Sequence, residues 1–218
     1  MATYTWTGTG NWGTTTNWTP NGTPTNADTV LFSSANNNNC TVAANANAQI
    51  LNLQDYRGQI TINNLVSLTV AGNISLSTAS TTGPTPAPQN SITGVGTLSV
   101  SANSLITSNG KTIDSILGFS TINTTIQLAD AMILTRGLTS AGTPVGSIAL
   151  ISSTPTVQRS LTLTNNGVTT QDIDYLNVTD IDGSAGLTVW TYKGTVSNSQ
   201  NWFVMSTQPP GVSSVSIG

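Results

Sequence analysis

Short bursts of alternating apolar and polar residues recur through the middle of the chain. The clearest bursts cover residues 60–62, 68–70, 74–76, 98–100, 126–128 and 161–163. A period of two is typical of β-strands, and no window carries the i, i+3, i+4, i+7 apolar stripe of an amphipathic helix. Thr, Val and Ile dominate these bursts, and β-branched residues favour strands. The pattern therefore predicts an all-β protein with almost no helix.

The spacing of the bursts distinguishes between two all-β architectures. Gly and Asn commonly separate them, as at Gly72-Asn73, Asn109-Gly110 and 165–167, and these residues tolerate turns with positive φ. A β-sandwich would place strands every 8–12 residues or so, whereas stacked coils give closer bursts grouped in units of roughly 20 residues. The interval from Leu68 to Ile74 is only six residues. We therefore predict a β-solenoid (β-helix), in which stacked Asn and Thr side chains continue hydrogen bonding from coil to coil.

The N-terminal segment departs from this pattern. It carries Trp6, Trp12 and Trp18 among Gly, Thr and Asn, and it is too short to bury a core of its own. Closely spaced tryptophans suit a cap over the open end of a solenoid. We predict that residues 1–39 form this cap and that residues 40–207 form the solenoid domain.

Two proline-rich segments are predicted to leave the solenoid. Residues 81–90 contain three prolines, which cannot donate hydrogen bonds to a ladder, so this segment is expected to project as a loop. Residues 208–218 have little to pack against in their own chain and are expected to form an extended C-terminal arm. Strand addition to a neighbouring subunit or shell protein would use its prolines and apolar residues. The expected partner-binding residues of the arm are Pro209, Pro210, Val212, Val215 and Ile217.

Composition removes several classes of function. Charged residues make up 6% of the chain, the net charge is −3, and neither Glu nor His occurs, so general acid–base chemistry has few possible participants. The five basic residues are scattered singly, which disfavours nucleic-acid binding. No apolar run is long enough to cross a bilayer and no secretory signal opens the sequence. We expect a protein that is not an enzyme, with no cofactor, nucleic-acid or membrane partner.

The single cysteine is predicted to be structural. Cys40 lies in the run Asn-Cys-Thr-Val of residues 39–42, where the alternation places it on the apolar side of a strand. A lone cysteine cannot form an internal disulfide, and no His is present to activate the thiol. We therefore expect a small buried apolar side chain.

Several segments together resemble β-helical virion proteins of tailed bacteriophages and prophages. They are the Trp-Thr-Gly-Thr-Gly-Asn-Trp of residues 6–12, Asn17-Trp18, Pro24, the Ala-Asp-Thr-Val-Leu-Phe of residues 27–32, the Ile-Thr-Ser-Asn-Gly-Lys-Thr-Ile of residues 106–113, the Asp-Tyr-Leu-Asn-Val-Thr-Asp of residues 174–180, Gly194 and Asn201-Trp202. Autotransporter passengers and bacterial surface proteins use similar openings. The resemblance implies a structural role on the surface of a virion and no catalytic residues.

Four aspartates form the one concentration of acids: Asp172, Asp174, Asp180 and Asp182. Carboxylate oxygens are the ligands that Ca²⁺ prefers, but the spacing lacks the complete calcium-loop pattern, so we assign no metal site. Paired carboxylates also serve glycosidases. We adopt the purely structural interpretation, in which these residues occupy turns.

The resulting hypothesis is a bacteriophage virion structural protein. We expect a capsid decoration or cement protein that binds the major capsid protein or other virion proteins and reinforces the shell. It would be made in the host cytoplasm, located on the particle surface and assembled as a homo-oligomer, with a trimer favoured. A tail fibre or tail-surface subunit of the same fold is the first alternative. A glycan-binding or glycan-cleaving spike fragment, with tryptophans stacking on sugars, is the second.

Overall fold

Strands dominate the structure. The computed structural model describes residues 1–82, 88–164 and 170–207. Within those ranges there is no α-helix, and the only helical element is a 3₁₀ turn over Thr15–Asn17. The prediction of an all-β protein is confirmed. Its physical basis is the alternation of β-branched and apolar residues, which leaves no stripe for a helix to bury.

The strands are short in the first half of the chain. They are β1 (Thr3–Trp6), β2 (Gly10–Asn11), β3 (Trp18–Thr19), β4 (Thr29–Ser33), β5 (Cys40–Val42), β6 (Ala46–Ala48), β7 (Ile50–Gln54), β8 (Ile60–Ile62), β9 (Ser67–Val70), β10 (Ile74–Ser75), β11 (Asn90–Val100) and β12 (Ser104–Thr107). The second half contains β13 (Thr112–Phe119), β14 (Thr125–Leu128), β15 (Met132–Leu134), β16 (Gly137–Ala141), β17 (Ile148–Ser152), β18 (Arg159–Leu163), β19 (Thr170–Asp174), β20 (Leu176–Thr179), β21 (Ile181–Asp182), β22 (Val189–Tyr192), β23 (Thr195–Ser197) and β24 (Trp202–Met205).

The strands pair in three parallel ladders, which the chain visits in rotation. The first ladder is β1, β4, β7, β10, β12, β14, β17, β20 and β23. The second ladder is β2, β5, β8, the first parts of β11 and β13, β15, β18 and β21, and the third is β6, β9, the later parts of β11 and β13, β16, β19, β22 and β24. The described pairings within these ladders are parallel. This arrangement is consistent with a β-solenoid-like fold.

The register shows how much chain separates one strand from the next strand of its ladder. Cys40 pairs with Ile60, and Ala46 pairs with Leu68, so a rotation takes about 20 residues. The step from Ile60 to Ile92 is longer because it contains residues 81–90. Residues 83–87 of this predicted loop lie outside the described residues.

Inward-facing side chains form a single apolar core along the ladders. In the first ladder a continuous column is formed by Val30, Leu51, Ile74, Ile106 and Leu128, each fully buried. Alternate residues of each strand point to opposite faces, so every rung contributes one or two such side chains. The column explains why Ile, Leu and Val recur at regular intervals in the sequence.

Asparagines connect successive rungs at the corners. The side-chain Oδ1 of Asn45 accepts a hydrogen bond from the backbone N–H of Ser67 at 2.9 Å, and Asn103 accepts one from Thr125 at 2.8 Å. Asn39, Asn73 and Asn177 act in the same way. Each amide therefore satisfies a backbone donor of the next rung at or near the start of a strand, where the chain enters a ladder. The predicted coil-to-coil bonding exists here as side chain to backbone bonding.

The N-terminal tryptophans are buried together at one end of the ladders. Trp6, Trp12 and Trp18 are at most 1% exposed, and their rings meet edge to face at centroid distances of 5.0 and 4.8 Å. Phe32 packs against all three. At this end β3 pairs antiparallel with β1.

Candidate binding surface at the C-terminal end

The predicted partner-binding arm lies outside the described residues. This holds for Pro209, Pro210, Val212, Val215 and Ile217 alike, so their role stays a prediction. The last described strand, β24, ends at Met205, at the C-terminal end of the ladders.

The four clustered aspartates separate into two pairs. Asp180 is 8% exposed and accepts hydrogen bonds from the backbone N–H of Thr156, at 2.9 Å, and from the side chain of Asn198. Asp182 accepts the backbone N–H of Ser184 at 2.8 Å, and bonding to Ser184 lowers the pKa of Asp182. These two carboxylates hold turns together. Within the described ranges no group of three or more His, Cys or Asp side chains is placed to hold a metal.

Asp172 and Asp174 instead lie on the outer face of the third ladder. They are two residues apart on β19, so their side chains project from the same side, opposite the buried Ile173. Neither carboxylate has a hydrogen-bond donor or an ion-pair partner among the described residues. Burial and, next, the negative charge of Asp172 raise the pKa of Asp174.

Aromatic side chains continue this outer face on the next two strands. Asp174 pairs in register with Tyr192 of β22, and Trp190 of β22 pairs with Phe203 of β24. The Trp190 and Phe203 rings are 5.1 Å apart at a tilt of 36° and are 45% and 47% exposed. We call Asp172, Asp174, Trp190, Tyr192 and Phe203 the aromatic–acidic patch.

One cation lies beside the patch and is already engaged. The Lys193 ammonium lies 5.0 Å from the centroid of the Tyr192 ring. A hydrogen bond with Tyr192 is the main cause that raises the pKa of Lys193. The only ion pair among the described residues joins Arg136 to Asp114, so Lys193 forms none with Asp172 or Asp174.

The core is incompletely covered at the same end. Thr191 of β22 is fully buried, whereas Val204, its partner on the final strand β24, is 50% exposed although it faces inward. Trp202 covers part of the end at 5% exposure, and its indole N–H has no hydrogen-bond partner among the described residues. An exposed inward-facing valine indicates that none of the described residues covers the last rung as the earlier rungs are covered.

The other buried ionisable groups serve the fold. Asp114 is 8% exposed and joins Arg136 at 3.1 Å while accepting hydroxyl hydrogen bonds from Thr93 and Thr135. Lys111 is 2% exposed and donates from Nζ to the backbone oxygen of Ala79. Cys40 is fully buried and unpaired, as predicted, and burial raises the pKa of its thiol.

The N-terminal tryptophans offer no platform for a sugar. A cavity of about 280 Å³ is lined by Asn11, Thr14, Asn45 and Trp12, among others. Stacking needs an open aromatic face, and the three rings have none. The aromatic surface that is exposed lies at the opposite end of the molecule.

Sequence reasoning grouped all four aspartates and did not identify the aromatic members of the patch. Trp190 and Tyr192 alternate with Val189 and Thr191, and this period of two could have indicated that β22 has one buried face and one aromatic outer face. Joining that face to Asp172 and Asp174 requires the register between three strands, which the sequence alone does not contain.

Comparison with known proteins adds no assignment. No protein-family model, curated protein or solved structure matches the chain. No helix within the described ranges has the length and apolar character needed to span a membrane.

Proposed function

We propose that this chain is a bacteriophage virion structural protein, a capsid decoration or cement protein with a three-sided β-solenoid fold. The observation that carries the proposal is the rotation of the chain through three parallel ladders in register. Such a column is rigid because each rung is hydrogen-bonded to its neighbours and shares one core with them. The similarity of the sequence segments described above to β-helical phage proteins supports the same role.

The N-terminal segment acts as the cap of this solenoid. The burial of Trp6, Trp12 and Trp18 against Phe32, together with the antiparallel strand β3, supports the assignment. A solenoid exposes strand edges and core residues at its ends, and natural proteins cover them. The cap covers one end and leaves the other for a neighbour.

The proposal assigns binding and reinforcement, without a catalytic step. The most buried carboxylates, Asp28, Asp114 and Asp180, accept several structural hydrogen bonds each. The protein acts on the particle surface as a homo-oligomer, with a trimer favoured, and its partners are the major capsid protein or other virion proteins.

A co-sedimentation experiment tests the proposal. Purified protein is mixed with intact particles of the virus that encodes it, and the bound amount is measured per copy of major capsid protein. Binding in a fixed ratio of the order of the capsomer number is expected, while heat-unfolded protein serves as the control. A few copies per particle would place the protein on the tail, and no binding would overturn a virion role. Release of reducing ends from host polysaccharide would favour a glycan-cleaving spike.

A further inference from the structure

We propose that the aromatic–acidic patch is the docking surface for the protein's partner, and that the partner places an arginine side chain on the Trp190–Phe203 pair beside Asp172 and Asp174. This inference rests on the proposed structural role, since it names the chemistry of the partner that the role requires. It concerns a surface of the third ladder formed entirely by described residues.

The aromatic pair supplies an exposed apolar platform. Trp190 and Phe203 lie on adjacent strands of a rigid ladder, with ring centroids 5.1 Å apart. Both are almost half exposed, whereas the other four tryptophans are at most 5% exposed. Exposed aromatic pairs are enriched where proteins bind partners, and a guanidinium stacks favourably on such rings.

The two carboxylates select a cation. Asp172 and Asp174 project from one face of β19, and the described residues supply neither of them with a donor or a counter-charge. Two like charges on one face of a strand repel each other, and a positive group bound between them relieves that repulsion. The adjacent Lys193 lies over Tyr192 and does not serve this purpose.

Arginine fits both halves of the patch at once. Its planar guanidinium can stack on an indole while donating paired hydrogen bonds to a carboxylate, whereas the compact ammonium of lysine attracts a carboxylate as a point charge without that paired geometry. The chain's own segment 208–218 contains no Lys or Arg, so it lacks the group that these carboxylates select. A neutral glycan would use the aromatic rings but would leave the two charges unpaired.

The experiment titrates the full-length protein with a short probe peptide, acetyl-GSRGSRG-amide, at low ionic strength. Trp190 is the exposed tryptophan, so fluorescence quenching reports its occupancy. We expect saturable quenching with the arginine peptide, weaker binding with lysine in its place, and little binding with citrulline, which keeps the shape but lacks the charge. Raising salt to about 0.5 M is expected to weaken the arginine complex several-fold.

Matched variants locate the site. Asp172→Asn with Asp174→Asn is expected to weaken binding of the arginine peptide about five-fold, and Phe203→Ser is expected to weaken it to a similar extent. Asp182→Asn changes the charge of a carboxylate in a turn, and Val145→Ser removes an exposed apolar side chain elsewhere. Both controls should bind as the parent does, and circular dichroism verifies that all variants are folded.

Three outcomes would overturn the inference. They are equal binding of the citrulline and arginine peptides, unchanged binding by the double Asp→Asn variant, and the absence of binding by the parent protein. Equal binding would identify a neutral occupant such as a glycan. Because the peptide experiment needs no virus particle, its result is independent of the co-sedimentation result, and failure of either one can be recognised separately.

Discussion

Replacement of Trp18 by Ala tests the role of the N-terminal tryptophan cluster. Trp18 is fully buried, contacts the rings of Trp6 and Trp12 edge to face, and lies 5.7 Å from the ring of Phe32. Its indole N–H also donates a 2.7 Å hydrogen bond to the backbone oxygen of Trp12. The substitution therefore removes an apolar contact and leaves a buried carbonyl without its donor.

The expected loss of stability follows from the buried area. A tryptophan side chain buries about 200 Å², and about 25 cal/mol per Å² gives an upper value near 5 kcal/mol. Measured tryptophan-to-alanine changes in cores cost about 3–5 kcal/mol. We expect Trp18→Ala to lower the free energy of unfolding by about 4 kcal/mol, against about 2 kcal/mol for the Trp190→Ala control, whose side chain buries about half as much area.

Guanidinium chloride unfolding followed by far-UV circular dichroism measures the global change. Because rungs of a stacked fold interact mainly with their neighbours, part of the effect should be local. Hydrogen exchange is therefore expected to accelerate in β1, β3 and β4 before it changes in β22 and β24. A loss within about 1 kcal/mol of the Trp190→Ala control, with N-terminal exchange unchanged, would refute the assignment of these tryptophans to a stabilising cap.

Three further changes probe the fold at single positions. Gly94→Ala should destabilise the protein by at least about 2 kcal/mol in thermal unfolding, because φ is +111° and a Cβ would lie 2.1 Å from a backbone oxygen of β8. The control Gly110→Ala has open space around the new Cβ and should cost only about 1 kcal/mol. Equal costs for the two variants would contradict the steric argument. A hydrogen bond from the hydroxyl of Thr25 is the main cause that lowers the pKa of Asp28. The Asp28 carboxylate therefore stabilises the fold at neutral pH, and this contribution is lost as pH falls below about 4. Asp28→Asn should flatten the decline in melting temperature on the acid side, and an unchanged decline would exclude a contribution of Asp28 to it. The buried thiol of Cys40 should not react with an aromatic disulfide reagent at pH 8 until the protein is unfolded, and prompt reaction of the native protein would be inconsistent with its burial.

Local alternation was sufficient to predict the strands but not their pairing. All six bursts identified in the sequence fall in or overlap strands, and the turn at Asn109-Gly110 has the predicted positive φ at both residues. Strand β11 runs for 11 residues and serves two ladders, and its register with β13 shifts between Thr93 and Thr97, across Gly94 and Gly96. One long strand that bends from the second ladder into the third differs from two short strands only at the bend. The conformation of the bend depends on how closely the backbone there approaches the neighbouring rungs.

The aromatic–acidic patch was less predictable from the sequence because its residues come from separate rungs. Asp172 and Asp174 were identified, but they were grouped with Asp180 and Asp182, which are their neighbours in sequence. In the fold, the step from β19 to β20 carries the chain from one ladder to another. The relevant neighbours of Asp174 are therefore 18 residues away in Tyr192, not six residues away in Asp180.

The difference between the two ends of the ladders restricts how copies of the chain can associate. A column of parallel strands with two open ends could stack head to tail without limit and form a fibre. Here β3 runs antiparallel along β1, and three tryptophans at most 1% exposed lie at that end. The core and the edge of the first ladder are therefore covered there, while β2 and β6 end the other two ladders as parallel strands. The half-exposed Val204 and the Trp190–Phe203 pair lie at the other end. Under the proposed role, this difference in core exposure favours association through the C-terminal end and its adjoining outer face, as in a closed oligomer or attachment to a shell, over head-to-tail growth.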